Sequence, residues 1–188
     1  FFESKATPCL AAYDVGSKER ARSYGLVQLD GDRVVDFQEK PDDPQSTLVS
    51  IACYAFPADT LPDFDTYLSN GNWFIEWLQR RGTVHAFTFD GAWFDIGTPE
   101  SYLDAVSWYL GGDTFVHESA TVENSVLDED VHVMADASVS DSHLERTVVF
   151  SDATIHNADI RDTIVDEHTY IENLDLSNAL IGAHSHLE

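Results

Sequence analysis

The chain has 188 residues, 43% of them apolar and 12% aromatic, which is enough for a real core in one ordinary domain or two small ones. Its 34 acidic residues stand against 10 Lys and Arg, and a net charge of −24 excludes nucleic acid and anionic membrane surfaces as partners, since both require clustered cations. No apolar run is long enough to span a bilayer and no signal-peptide pattern is legible, so a cytoplasmic protein is expected.

In chain order, residues 8–15 (PCLAAYDV) read as a strand. Residues 24–29 and 33–38 read as a hairpin around Asp30-Gly31-Asp32, a strong turn signal. Residues 48–56 read as a further buried strand. Cys9 and Cys53 lie in these apolar runs without metal spacing and are expected as small core residues. Residues 73–81 read as a helix and 83–90 as a strand. Thr98-Pro99-Glu100 then opens a helix, with Thr98 as the cap, Pro99 at its first position and Glu100 in its first turn. Leu103, Val106 and Leu110 recur at helical spacing on its buried face. Gly111-Gly112 ends the helix, and the domain boundary is placed there, giving 1–112 and 113–188.

Past Gly112 the pattern changes. Val139, Ile155 and Ile171 are 16 residues apart, as are Leu144, Ile160 and Leu176, and Val149, Val165 and Ile181. Within each coil the steps are 5, 5 and 6. Ala137, Ala153 and Thr169 form a column of small residues, Ser142 and Ala158 another, and Val116, Val122, Leu127 and Val133 continue the pattern upstream. An α-helix presents no single face at such intervals. A short strand on each side of a triangular coil does, with the aliphatic residues stacking from coil to coil. The prediction is a left-handed parallel β-helix of hexapeptide-repeat type, about four coils long, rather than a set of sandwich strands.

Lysine is scarce here, with only Lys5, Lys18 and Lys40, and Lys40 sits at a strand exit in Glu39-Lys40-Pro41. The order SYGLVQLDGDRVVDFQEKP, SIACYAF, GAWFDIGTPESYLDA and then a repeat domain resembles the sugar nucleotidyltransferases, with the nearest likeness to glucose-1-phosphate thymidylyltransferases. The resemblance implies the C-terminal portion of an α/β nucleotide-diphospho-sugar transferase fold ahead of the β-helix. It implies a sugar 1-phosphate and a nucleoside triphosphate as substrates, glucose 1-phosphate and dTTP foremost, with Mg²⁺ as cofactor. By the same resemblance Glu39 and Lys40 contact the sugar phosphate, Gly25 lets the backbone approach the sugar, and Asp95 is a Mg²⁺ ligand. Tyr54 and Trp93 either wall the pocket or belong to the core. A compact ammonium suits a phosphate, and a carboxylate accepts from sugar hydroxyls. Because Thr98 already caps the helix, Asp95 is left free.

Three departures qualify the resemblance. The Gly-rich triphosphate segment and the first Mg²⁺-binding Asp of the family have no counterpart here. The chain opens with Phe1-Phe2 and its single Met is Met134, so it is expected to be an incomplete part of a longer enzyme, inactive by itself. Ala52 stands where relatives carry Gly, and Ser69-Asn70-Gly71-Asn72-Trp73 lacks the phosphate-binding Arg of the family, with Arg80 and Arg81 out of position. Two other functions stay open. One is a hexapeptide-repeat acyltransferase, since seven of the eight histidines lie in the repeats and His168 and His184 are 16 apart, about 4.8 Å on adjacent coils; the alternative for that pair is two exposed corner residues. The other is a regulatory or assembly paralogue without turnover. A homo-oligomer through the β-helix is expected. The evenly spread acid reads as adaptation to a salty, archaeal-type cytoplasm, because molar salt shortens the Debye length to about 3 Å.

Overall fold

The computed structural model of the chain describes residues 1–59 and 83–188. The helix expected over 73–81, the segment 69–73, Arg80 and Arg81 lie outside the described residues. By its contacts the chain forms two units, Phe1–Trp93 and Phe94–Glu188.

In the first unit five strands form a sheet closed on itself. They are β1 (Cys9–Asp14), β2 (Gly25–Asp30), β3 (Arg33–Glu39), β4 (Leu48–Ala55) and β5 (His85–Thr88), in the order β1-β4-β2-β3-β5. β2 and β3 are the expected hairpin, its turn carried by Gly31 at φ 64°. Helix α1 (Lys18–Ala21) follows β1 and is capped by Ser17, whose hydroxyl accepts the Arg20 N–H at 3.3 Å. One apolar cluster gathers Leu10, Ala12, Val27, Val34, Val84 and Ala86. Another gathers Val15, Ala21, Leu26 and Val49. Alternate residues of the same strands feed the two, so they lie on opposite faces of the sheet.

β4 departs from the buried strand expected over 48–56. Leu10 pairs with Tyr54 and Ala12 with Ser50, so one residue of β1 stands opposite three of β4. Ala52 takes up the excess with a left-handed backbone, φ 58°. The bulge turns Ala52 and Cys53 out to solvent. Cys9 is a core residue as expected, whereas Cys53 is an exposed free thiol.

The second unit opens with helix α2 (Pro99–Leu110), capped by Thr98. The capping box is closed by Ser101: its N–H donates to Thr98 Oγ1, and its hydroxyl lies 3.1 Å from the Thr98 N–H. Gly111 ends the helix in a left-handed conformation, φ 64°. Leu103 packs against Val148 and Ile164 of the repeats, with Tyr102, Val106, Met134 and Phe150 around them. The packing unit therefore begins ahead of this helix, while the change of sequence pattern falls after it.

The repeats form the expected parallel β-solenoid. One side stacks five strands: Thr121–Glu123, Ser138–Ser140, Thr154–His156, Tyr170–Glu172 and His186–Leu187. That is one rung more than the four expected, because Val122 below Val139 and Leu187 above Ile171 are full members of the column. The 16-residue columns are in register: Val139 with Ile155 and Ile171, Leu144 with Ile160 and Leu176, Val149 with Val165 and Ile181. Their members from Val133 to Ile171 are sealed from water as one core, and the small residues Ala137, Ala153 and Ala158 lie in it.

The corners form ladders too. Asp130, Arg146, Asp162 and Asn178 all have positive φ, as do Asp136, Asp152, His168 and His184, and Asn124, Asp141, Asn157 and Asn173. Asn and Asp tolerate this conformation best among residues with a side chain. Arg146, His168 and His184 are the departures.

Candidate functional site

The expected sugar-phosphate residues meet where β2, β3 and β4 lie side by side. Glu39 pairs with Gly25, Gly25 with Ser50, and Ser50 with Ala12. Directly opposed residues share a face, and Ala12 belongs to the cluster around Leu10 and Val27. Glu39, Gly25 and Ser50 thus extend that face as one row. The Ser50 hydroxyl lies 3.3 Å from the Tyr54 hydroxyl, which brings a second polar group to the row. Ser50 was not singled out in the sequence, where a lone Ser in an apolar strand carries no signal until its strand partners are known.

Gly25 is buried, with an ordinary backbone conformation. Its missing Cβ matters for space. A Cβ built there would stand 3.1 Å from Glu39 Oε2 and run into the Phe37 ring. The space beside the Gly25 Cα is thus already filled by a neighbouring aromatic ring, with a carboxylate next to it.

Lys40 follows Glu39 directly and is exposed. Its backbone is left-handed, φ 43°, and its N–H bonds the Tyr24 carbonyl at 3.1 Å. Among the described residues no carboxylate or carbonyl takes its ammonium. Lys5, by contrast, is paired with Asp32 at 2.5 Å. A strained backbone that aims an unpaired cation outward is a pattern found at ligand sites.

Tyr54 is half-buried and packs with the cluster around Leu10, next to Phe56. Trp93 packs with the other cluster, its ring 5.5 Å from Tyr24 and 5.7 Å from Tyr13. The two aromatic residues lie on opposite faces of the sheet and do not wall one pocket together.

Asp95 belongs to the second unit and is exposed. Thr98 makes the cap contact, and the Asp95 carboxylate has no hydrogen bond or ion pair among the described residues. Its Oδ1 lies 3.6 Å from where a Gly97 Cβ would stand. Among the described residues no three His, Cys, Asp or Glu groups gather as a complete metal cage. One free carboxylate still fits Mg²⁺, which is commonly held by one or two carboxylates together with substrate phosphates.

Thr98, Pro99, Leu103, Arg146, Asp162 and Asn178 line a cleft of about 410 Å³ between α2 and the solenoid. Arg146 is not free for an anion there. It bridges Asp104 at 2.6 Å and Asp162 at 2.7 Å. In the corner ladder His168 and His184 stack as their spacing implied, with ring centroids 4.9 Å apart and planes 9° from parallel.

The hexapeptide family model described as GlmU-like, C-terminal, matches residues 98–186, and the family model described as nucleotidyl transferase matches residues 1–111. A glucose-1-phosphate adenylyltransferase of Thermomicrobium roseum is 33% identical over 111 residues, which are 55% of this chain and 26% of that relative. Glucose-1-phosphate adenylyltransferases of Thermotoga sp. strain RQ2 and Thermotoga maritima are each 35% identical over 112 residues, 54% of this chain and 26% of theirs. The chain thus spans about a quarter of the length of these relatives. With the transferase match covering more than half of it, including the strands that set Glu39, Gly25 and Ser50 in a row, the chain belongs to the nucleotidyl transferase family.

Proposed function

We propose that this chain carries the sugar-phosphate side of an enzyme that joins glucose 1-phosphate to a nucleoside triphosphate, releasing pyrophosphate. The observation that carries the reading is the unpaired Lys40 ammonium beside the Glu39–Gly25–Ser50 row. In the reaction a phosphate oxygen of the sugar phosphate attacks the α-phosphorus of the triphosphate. A P–O bond forms there as the bond to the β-phosphate oxygen breaks, and pyrophosphate leaves with that electron pair. Such a displacement needs alignment and charge neutralisation more than a covalent intermediate.

Lys40 neutralises the sugar phosphate and holds it against its own repulsion by the triphosphate. Glu39 accepts hydrogen bonds from the sugar hydroxyls, with Ser50 and Tyr54 as polar groups further along the same face. With the Phe37 ring swung aside, the missing Gly25 side chain would admit the sugar edge to the backbone. Asp95 would hold Mg²⁺, which supplies charge stabilisation at the phosphates when bound. Glucose 1-phosphate is supported both by the sequence resemblance and by the names of the three relatives. The base divides them: the resemblance favours dTTP, while the relatives are named for adenylyl transfer. These 188 residues alone are proposed to be inactive, and the solenoid to assemble the full enzyme into a homo-oligomer.

The test is pyrophosphate release by the protein expressed from its own gene, in molar KCl with Mg²⁺. The panel crosses dTTP, ATP, UTP, GTP and CTP with glucose, mannose and N-acetylglucosamine 1-phosphates. One dominant pair is expected, with activity lost in Lys40→Ala and in Asp95→Ala. Full activity in Lys40→Ala would remove Lys40 from the site. No release from folded protein with any pair would leave a regulatory paralogue, and acetyl transfer from acetyl-CoA by the same preparation would move the activity to the solenoid.

A further inference from the structure

The corner ladder Asp136, Asp152, His168, His184 changes chemistry half-way along. All four residues have left-handed backbones, φ 54–59°. Of the twelve positive-φ corner residues in the solenoid, nine are Asn or Asp, the types best suited to the conformation. Arg146 is one exception, and its side chain has work, bridging Asp104 and Asp162. His168 and His184 are the other two, they are consecutive, and they stack.

We propose that His168 and His184 form a binding site for a divalent transition-metal ion that ties two successive coils together. Both imidazoles are exposed, so an ion has open access. Asp152, one coil below, places its Oδ2 3.9 Å from His168 Nδ1. That separation is beyond a hydrogen bond, so the carboxylate acts on the ring through its charge, which favours a cation beside it. The ring nitrogens of His184 have no hydrogen-bond partner among the described residues. Metal–imidazole bonds of about 2.0–2.1 Å allow two donor nitrogens to stand as far as about 4 Å apart across one ion. The stacked rings, their planes 9° from parallel, aim their lone pairs alongside one another, so both side chains must swing to converge on one ion, and as exposed residues they have the room to do so. Water or a ligand fills the remaining positions, since no third His, Cys, Asp or Glu joins the pair among the described residues. Two nitrogen donors select Zn²⁺, Ni²⁺ or Cu²⁺ over Mg²⁺, and the net charge of −24 draws cations to the surface. This site is separate from Asp95 and independent of the transferase reading.

Zinc chloride and nickel chloride are titrated into the full-length protein at pH 7.5, reading the unfolding midpoint and the histidine ring signals by NMR. Expected are a saturable rise in the midpoint and shifts of the His168 and His184 signals, with no such response to Mg²⁺. His168→Asn and His184→Asn keep a residue suited to the left-handed corner, so both should fold with the metal-free midpoint of the wild type and lose the response. Asp152→Asn removes a nearby charge and no hydrogen bond, so it should weaken affinity about tenfold or less. Absence of binding, or a response that persists in both histidine variants, overturns the proposal, the second outcome assigning the ion to other histidines.

Discussion

Ala52 holds φ 58° in the middle of a strand. An L side chain there costs about 1–2 kcal/mol, and glycine would recover that while adding about 0.4–1 kcal/mol of unfolded-chain entropy. Ala52→Gly should therefore stabilise by about 0.5–1 kcal/mol, read as a higher urea midpoint at unchanged slope. The sequence marks Ala52 as a departure where relatives carry Gly, and the left-handed backbone at that position, which no composition rule exposes, is what suits a glycine. Gly25 has the opposite logic. Its φ is ordinary, but a Cβ would meet the Phe37 ring and Glu39. Gly25→Ala should cost about 1–3 kcal/mol by overpacking. Trimming the ring with Phe37→Leu should restore much of that stability in the double variant. Sugar phosphate binding should stay lost in the double variant if the sugar touches the Gly25 backbone, and return with stability if the glycine serves only packing. Calorimetric titration of the full-length protein with glucose 1-phosphate separates the two.

Within the second unit, two charge clusters join elements. Arg146 reaches Asp104 on α2 and Asp162 on the next coil, with 27% of its side chain exposed. Arg146→Asn keeps a residue at ease in a left-handed corner and removes only the bridge, so the loss should be about 1–2 kcal/mol, moderated by solvent. It should appear as earlier hydrogen exchange in α2 than in the repeats. His143 joins three coils. It bonds Asp128 at 2.6 Å and stands 3.6 Å from Asp159, with Arg161 also near. The hydrogen bond to Asp128 raises its pKa above the ordinary 6.5, outweighing desolvation and Arg161. A raised folded-state pKa means the protonated ring stabilises the fold fully below the unfolded value and stops doing so as pH rises through the folded one. His132 acts with the opposite sign, because burial lowers its pKa and its stabilisation is lost on acidification. His143→Gln should thus flatten the fall in stability above pH 6.5 and leave the acid side to His132. The repeat columns were fully legible because a period of 16 is written in side-chain type alone. The Arg146 bridge and the His143 cluster were not, because they depend on which corner each coil turns.

On the scale of the whole chain, the same division holds between pattern and placement. The hairpin, the capped helix and the solenoid follow from local periodicity and turn chemistry, whereas the row of Glu39, Gly25 and Ser50 needs the long-range pairing of β2 with β4, 25 positions apart at Gly25 and Ser50. Charge is a whole-molecule property that sequence does disclose. At −24 on 188 residues the surface repels itself in dilute buffer, and Glu118, Glu129 and Glu167 are exposed with no cation paired to their carboxylates among the described residues. Screening grows as the Debye length falls from about 10 Å at 0.1 M salt to about 3 Å at 1 M. The unfolding midpoint should rise steadily with KCl over that range. Screening and preferential exclusion both raise stability with salt, so the decisive variant changes charge alone. Glu118→Lys, Glu129→Lys and Glu167→Lys together reverse three charges and bring the net from −24 to −18. If repulsion is the cause, this variant is more stable than the wild type in dilute buffer and its KCl dependence is shallower. A parallel salt curve with the same slope would place the effect in the exclusion of salt from the surface instead.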